Sequence, residues 1–204
     1  MRATTWAMVA ASAVLAGLAA GGCESAPETP KTETYVSQAE GFSLTFPSDW
    51  KKSAAGFYGM NLEIIPPDQT NPNVFRDDIF IRVEPLVDAL SLDDYVAIKV
   101  AKGVKNMPDY KELQKGPARL GGVDAQRLVY SYANGDVLVT SITYFLVSGT
   151  RGYLVAANAV SNRFPDRKPQ FEEIVGTFRL LNQPTAAPPV PPAAPAAPAA
   201  PAAK

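Results

Sequence analysis

Three apolar runs joined by two very short links constrain this chain more than anything else in it: "VDAQRLVYSYA", "DVLVTSITYFLVS" and "GYLVAANAV", between residues 123 and 160. Asn134-Gly135 links the first pair, and "GTR" at residues 149 to 151 the second. Asparagine and glycine adopt positive φ readily, so Asn-Gly between apolar runs predicts a two-residue hairpin. Links this short cannot carry a parallel crossover, which needs a dozen residues or more, so the three runs are antiparallel neighbours. The middle run places Val137, Val139 and Phe145 on one face and Leu138, Ile142, Tyr144 and Leu146 on the other. A strand apolar on both faces needs cover on both faces.

The flanking sequence supplies the cover. "GFSLTFPSDW" alternates Phe42, Leu44 and Phe46 with Ser43 and Thr45, then turns at Pro47, Ser48 and Asp49, which reads as a strand and a turn. "MNLEIIPP" and "DIFIRVEP" are two further short strands around the polar loop "DQTNPNVFRD". "SLDDYVAIKVAKGVKN" predicts a helix, with Ser91 placed to cap it and Leu92, Val96, Val100 and Val104 at every fourth position. "PDRKPQFEEIVGTFRLL" predicts a second helix carrying Phe171, Ile174 and Val175, a stop at Gly176 and a closing strand. The expected fold is α+β, an antiparallel sheet sandwiched between helices.

This order of elements resembles the PsbP-like superfamily. The likeness rests on "GFSLTFPSDW", the "GG-V-D-A" turn into a strand and the final helix with "TFRL", and it covers residues 35 to 181. It implies an α/β/α sandwich and a small module that binds or helps to assemble other components. The family includes the extrinsic photosystem II subunit P and DcrB lipoproteins, so such an extrinsic subunit is one alternative. Some members bind metals through histidine and carboxylates, but this chain has no histidine, and no cofactor is expected.

Residues 1–22 have the build of a signal peptide: Arg2, then the apolar run "WAMVAASAVLAGLAA", then small residues. Ala20, Gly21 and Gly22 precede Cys23, and the stretch resembles the lipobox of bacterial lipoproteins. That resemblance implies cleavage before Cys23, a diacylglyceryl thioether on its sulfur and an acylated amino group. Cys23 is the chain's one cysteine, so no intramolecular disulfide competes for it. Glu24 follows it rather than aspartate, which by the lipoprotein sorting rule implies the outer membrane, facing the periplasm. Residues 23–34 read as a tether, 35–182 as the folded domain, and 183–204 as a disordered Pro/Ala tail holding 8 of the 19 prolines. The tail is either inert or a spacer contacting the wall or a partner.

The remaining charges exclude whole classes of function. Without Arg2, 18 basic residues face 20 acidic ones, a net charge of −2, which argues against nucleic acid. With no histidine and its cysteine acylated, the chain lacks Ser-His, Cys-His and His-metal sites, so it reads as non-catalytic. The pairs Asp77-Asp78, Asp93-Asp94 and Glu172-Glu173 do not converge unaided, because neighbours in sequence diverge on strands and helices alike. Asp68, Asp77 and Asp78 are the candidate oxygen ligands for calcium. Lys99, Lys102 and Lys105 form a row along the first helix, either a docking strip for an acidic partner or a solvated face. Tyr130, Tyr132, Tyr144 and Tyr153 crowd the hairpins, as cross-strand packing or as a ligand platform. The expected function is a lipid-anchored binding or assembly module with an envelope protein as partner. A small-ligand or calcium carrier with a pocket between sheet and helix is the alternative.

Overall fold

The computed structural model describes residues 31–54, 59–69, 71 and 74–181. The leader, Cys23, most of the tether and the Pro/Ala tail lie outside the described residues. Among those described, no helix is long and apolar enough to cross a membrane.

Two antiparallel sheets form. A small one has the order β1 (Thr32–Ser37), β2 (Phe42–Pro47) and β10 (Arg179–Leu180). The large one runs β3 (Lys51–Ala54), β4 (Leu62–Ile65), β5 (Asp78–Pro85), β9 (Arg151–Val160), β8 (Val137–Ser148), β7 (Val123–Asn134) and β6 (Lys111–Leu120). Helix α1 (Leu92–Lys102) follows β5, and α2 (Phe164–Gly176) follows β9. The α+β class and the antiparallel meander β7-β8-β9 are those the sequence predicts.

Three details differ from the sequence reading. The strand in "GFSLTFPSDW" belongs to a second sheet rather than to a single one, pairing with β1 and β10, and its Phe42, Leu44 and Phe46 enter the core shared with the large sheet. Strand β1 begins at Thr32, taking in three residues read as the end of the tether. The β7-β8 loop is Gly135-Asp136 rather than Asn134-Gly135: Asn134 pairs with Val137, and Gly135 supplies the positive φ of 59°.

The two faces of the large sheet carry separate cores. One face presents Ile79, Ile81, Leu146, Tyr153 and Val155 to α2 (Phe171, Ile174, Val175) and to the small sheet. The other presents Leu128, Tyr130 and Phe145 to Tyr95, Val96 and Val100 of α1. The middle strand is thus apolar on both faces because both are covered. Helix α1 opens at Ser91, whose Oγ accepts from the Asp94 N–H at 3.1 Å and donates to the Asp94 carboxylate at 2.6 Å. Its 3.6-residue period ends at Lys102, where Gly103 breaks the helix into a single 3-10 turn over Val104–Asn106.

Tyr95 is the side chain that seats α1. It is 1% exposed, packs edge-on against Phe145 at 6.3 Å, and lies over the backbone of Gly152 in β9. A β-carbon on Gly152 would stand 2.5 Å from the tyrosine ring, so only glycine admits the helix this close.

Candidate functional site

Strand β5 divides its side chains between the two cores. Ile79 and Ile81 enter the α2 side, while Phe80, Arg82 and Glu84 face α1. On that face Arg82 pairs in register with Leu154 of β9. Helix α1 crosses above them and leaves a cleft of about 330 Å³ between helix and sheet. Phe80, Ile98, Val104, Met107 and Leu154 give it apolar walls, and the charged groups on its lining are Arg82, Lys99 and Lys102. Glu84 lies just beyond, ion-paired with Lys99, whose ammonium stands 5.6 Å from the centroid of the Tyr95 ring. Burial, with the Glu84 charge alongside, pushes the Tyr95 hydroxyl far above the ordinary tyrosine range, so it stays protonated.

The lysine row is therefore divided by the structure. Lys99, half-buried, and Lys102, exposed, lie on the lining of the cleft, whereas Lys105, also exposed, falls on the 3-10 turn outside it. The four tyrosines separate likewise. Tyr110, Tyr130 and Tyr132 form a row of tilted ring contacts at 5.7 and 5.9 Å on the α1 face, and Tyr130 reaches the cleft. Tyr144 and Tyr153 pack into the opposite core, Tyr153 donating to the Glu40 carbonyl at 3.0 Å.

The acidic pairs diverge as expected. Asp93 and Asp94 occupy the first turn of α1, and Glu172 pairs with Arg127 at 3.1 Å. Asp77, wholly buried, accepts from Arg163 Nη2 at 2.7 Å and Nε at 3.1 Å, from Arg167 Nε at 3.2 Å and from the Val160 N–H at 3.2 Å. Asp68 pairs with the same Arg167. The calcium reading of Asp68, Asp77 and Asp78 meets a different arrangement: two of the three carboxylates serve arginines, and the third sits on the other face of β5. Among the described residues, no group of three or more His, Cys, Asp and Glu side chains could hold a metal ion.

Asp78 belongs to a polar strip set into the α1 face. Its Oδ1 accepts from Asn158 Nδ2 at 2.7 Å across the strand pair, and the hydroxyls of Ser141, Thr143 and Tyr130 continue the strip at 3.1 and 3.4 Å. Desolvation pushes the Asp78 carboxyl up to about 7; Glu63 and Asp77 add to the rise, while the Asn158 hydrogen bond and Arg76 oppose it. Because this value lies above the unfolded 3.8, the folded state holds the proton more tightly. Stability should fall as pH rises from about 4 to about 7 and then level off. Thermal melts across that range should show the decline attributable to this group, and Asp78→Asn should remove it; an unchanged pH profile in the variant would refute the assignment.

A second groove, about 410 Å³, runs between β2 and α2 beside Asp49 and Glu173. It is a seam of the fold: Thr177 Oγ1 donates to the Thr45 carbonyl at 2.8 Å and accepts from the Thr45 N–H at 2.9 Å across it. The α1 cleft is the stronger candidate, since it gathers charged side chains from both the sheet and the helix, Arg82, Lys99 and Lys102, beside apolar walls. Sequence reasoning found Lys99 and Lys102 but missed Arg82 and Phe80, whose face depends on which helix covers β5.

Comparison with known proteins agrees with the architecture. The sequence profile of the family described as PsbP-like protein matches residues 24–180. Among solved structures, cyanobacterial PsbP (CyanoP) of Synechocystis sp. PCC 6803 superposes with a TM-score of 0.57 at 12% identity, over 79% of this chain and 98% of that one. LpqN of Mycobacterium tuberculosis, described as involved in cell envelope biogenesis, gives 0.59 at 18% identity, over 74% and 91%. PA94 of Pseudomonas aeruginosa gives 0.53 at 17% identity, over 76% and 99%. The search of curated protein sequences finds no match. At these identities the likeness is one of fold.

Proposed function

The chain belongs to the PsbP-like family, and from that premise we propose that it is a membrane-anchored, non-catalytic binding module of the cell envelope. The observation that carries the reading is the α1 cleft, a preformed site with cationic and apolar walls on the sheet face away from the small sheet. The ionisable groups best placed for chemistry are already engaged, Asp77 by two arginines and Tyr95 by burial beside Glu84. A chain without histidine also has no imidazole to serve as general base. Anchoring rests on Cys23, acylated after removal of residues 1–22, and Glu24 directs the product to the outer membrane, facing the periplasm. LpqN's described part in cell envelope biogenesis is in keeping with a working place at the envelope, where the expected partner is an envelope protein.

The test is recovery of the native protein from membranes, with mass spectrometry of its amino-terminal peptide and of whatever co-purifies. The expected result is a peptide that begins at acylated Cys23 together with a reproducible envelope protein. Native protein in the soluble fraction with an unmodified amino terminus would overturn the anchored reading.

A further inference from the structure

Asparagine is a thermolabile residue, and the described asparagines differ in what engages the backbone nitrogen that follows each of them. Asn61 and Asn158 precede Leu62 and Ala159, which are bound into the strand ladders. Their own side chains are held as well, Asn61 by the Val83 N–H at 2.7 Å and Asn158 by Asp78. Asn106 donates to the Ala101 and Lys102 carbonyls, and the Met107 N–H after it donates to the Val104 carbonyl at 3.2 Å. Asn162 is exposed, but the Arg163 N–H after it donates to the Val160 carbonyl at 2.8 Å. Asn71 precedes a proline, whose nitrogen carries no hydrogen.

Asn134 alone among them has both groups free. Its side-chain amide is exposed and makes no hydrogen bond among the described residues, and the Gly135 N–H enters no backbone hydrogen bond there. Gly135 has no β-carbon to shield its nitrogen, and no atom beyond its chain neighbours lies within 4 Å of where one would stand. The Asn134–Val137 pair is the last of the β7-β8 ladder. Ladder ends fray at little cost, so Asn134 can leave the extended conformation without disturbing either core.

We infer that Asn134 is a site of spontaneous covalent modification, in which its amide becomes a mixture of aspartate and isoaspartate through a cyclic imide with Gly135. The Gly135 nitrogen gives up its proton to solvent base and attacks the side-chain carbonyl carbon of Asn134. A C–N bond forms there, and the amide nitrogen takes up a proton and leaves as ammonia. Water then opens the ring at one of its two carbonyls. Cleavage at the side-chain carbonyl gives aspartate, and cleavage at the backbone carbonyl gives isoaspartate, with Gly135 now joined through the former side chain. One water is consumed and one ammonia released, with no oxidant or reductant.

Either product sets a new carboxylate in the turn beside Asp136. Isoaspartate also adds a methylene to the main chain of a turn whose backbone twist must match its two strands. The adjacent Ala133 N–H holds the Pro108 carbonyl at 2.8 Å, so the altered turn adjoins the segment that carries Met107 to the α1 cleft.

To test this, freshly purified full chain is held in mildly alkaline and in mildly acidic buffer, and samples are cut with trypsin over time for mass spectrometry. A digest at time zero corrects for conversion during digestion. Cleavage after Arg127 and Arg151 releases residues 128–151, in which Asn134 is the one asparagine. That peptide should gain the mass of an amide turned acid and separate into two products of equal mass. Conversion should be faster in the alkaline buffer, because the attacking nitrogen must lose its proton. Residues 106–111, with Asn106, and 152–163, with Asn158 and Asn162, should stay unchanged over the same time. Gly135→Ala should slow the conversion severalfold, since a methyl group then shields the nitrogen.

An unconverted 128–151 peptide, conversion no faster than in the two control peptides, aspartate without its isomer, or an unchanged rate in Gly135→Ala would each overturn the inference. None of these outcomes bears on the amino-terminal peptide or the co-purifying protein, so the anchored-module reading stands or falls separately.

Discussion

Asp77→Ala should destabilise the fold by about 3 kcal/mol or more, one of the two largest effects expected of single substitutions here. Exposed ion pairs are worth about 0–1 kcal/mol, and on that scale Arg127–Glu172 or Arg119–Asp124 is dispensable. Asp77 differs because its carboxylate is wholly buried and every hydrogen bond it accepts is made inside the protein. Removing it leaves the Val160 N–H without its partner and two guanidinium groups facing each other across the vacated space. Arg163 is 41% exposed and can turn to water, and Arg167 retains Asp68, which keeps the loss from being larger. Asp77→Asn should cost less, since an amide oxygen still accepts from Val160 while the charge is gone. Urea unfolding of both variants measures this, and a loss below about 1 kcal/mol for Asp77→Ala would show that the arginines do not depend on it.

Gly152→Ala should be nearly as damaging, against the ordinary expectation for a strand. Replacing glycine by alanine in a strand normally stabilises by about 0.5–1 kcal/mol through the unfolded chain. Here the added β-carbon would meet Tyr95 at 2.5 and 2.6 Å, on ring atoms with no free rotation away from the sheet. Overpacking of this kind costs about 1–3 kcal/mol, and relief requires α1 to lift off β9. The clash belongs to one pair, so Tyr95→Leu should absorb it. In that background Gly152→Ala should cost less than about 0.5 kcal/mol, giving a coupling energy of about 1–2 kcal/mol in a double-mutant cycle. Additive losses would mean that the helix is seated by something other than this contact.

Much of the fold was legible in the sequence because it depends on neighbours. Short links fixed β7, β8 and β9 as an antiparallel meander, and Ser91 with Asp94 marked the start of α1. Strand β6 was not legible, because nearly all of it is solvent-facing and it includes Pro117 with a bulge between Glu112 and Gln114. Those same features suit it to a sheet edge, where lysines, proline and a bulge discourage pairing with another chain. The Asp77 cluster was illegible for another reason: its arginines lie 86 and 90 residues away, and no local pattern links them. The cleft was half visible. The lysine spacing showed on the helix, but which of the three lysines line the cleft depends on Gly103 ending α1 before Lys105.

The pairing of β2 with β10 has a kinetic consequence. The Thr45–Thr177 bonds span 132 residues, and the Leu181 N–H reaches back to the Gly41 carbonyl at 2.9 Å. The meander can assemble from contacts local in sequence, but the apolar side of β2 receives Phe178 and Leu180 only when the end of the domain arrives. Closing so long a loop is entropically slow, so docking of the small sheet should be a late event in folding. A chain emerging amino terminus first from a ribosome would therefore leave Phe42, Leu44 and Phe46 without their full cover until Phe178 and Leu180 were free. During that interval its vulnerability to aggregation and proteolysis should be greatest.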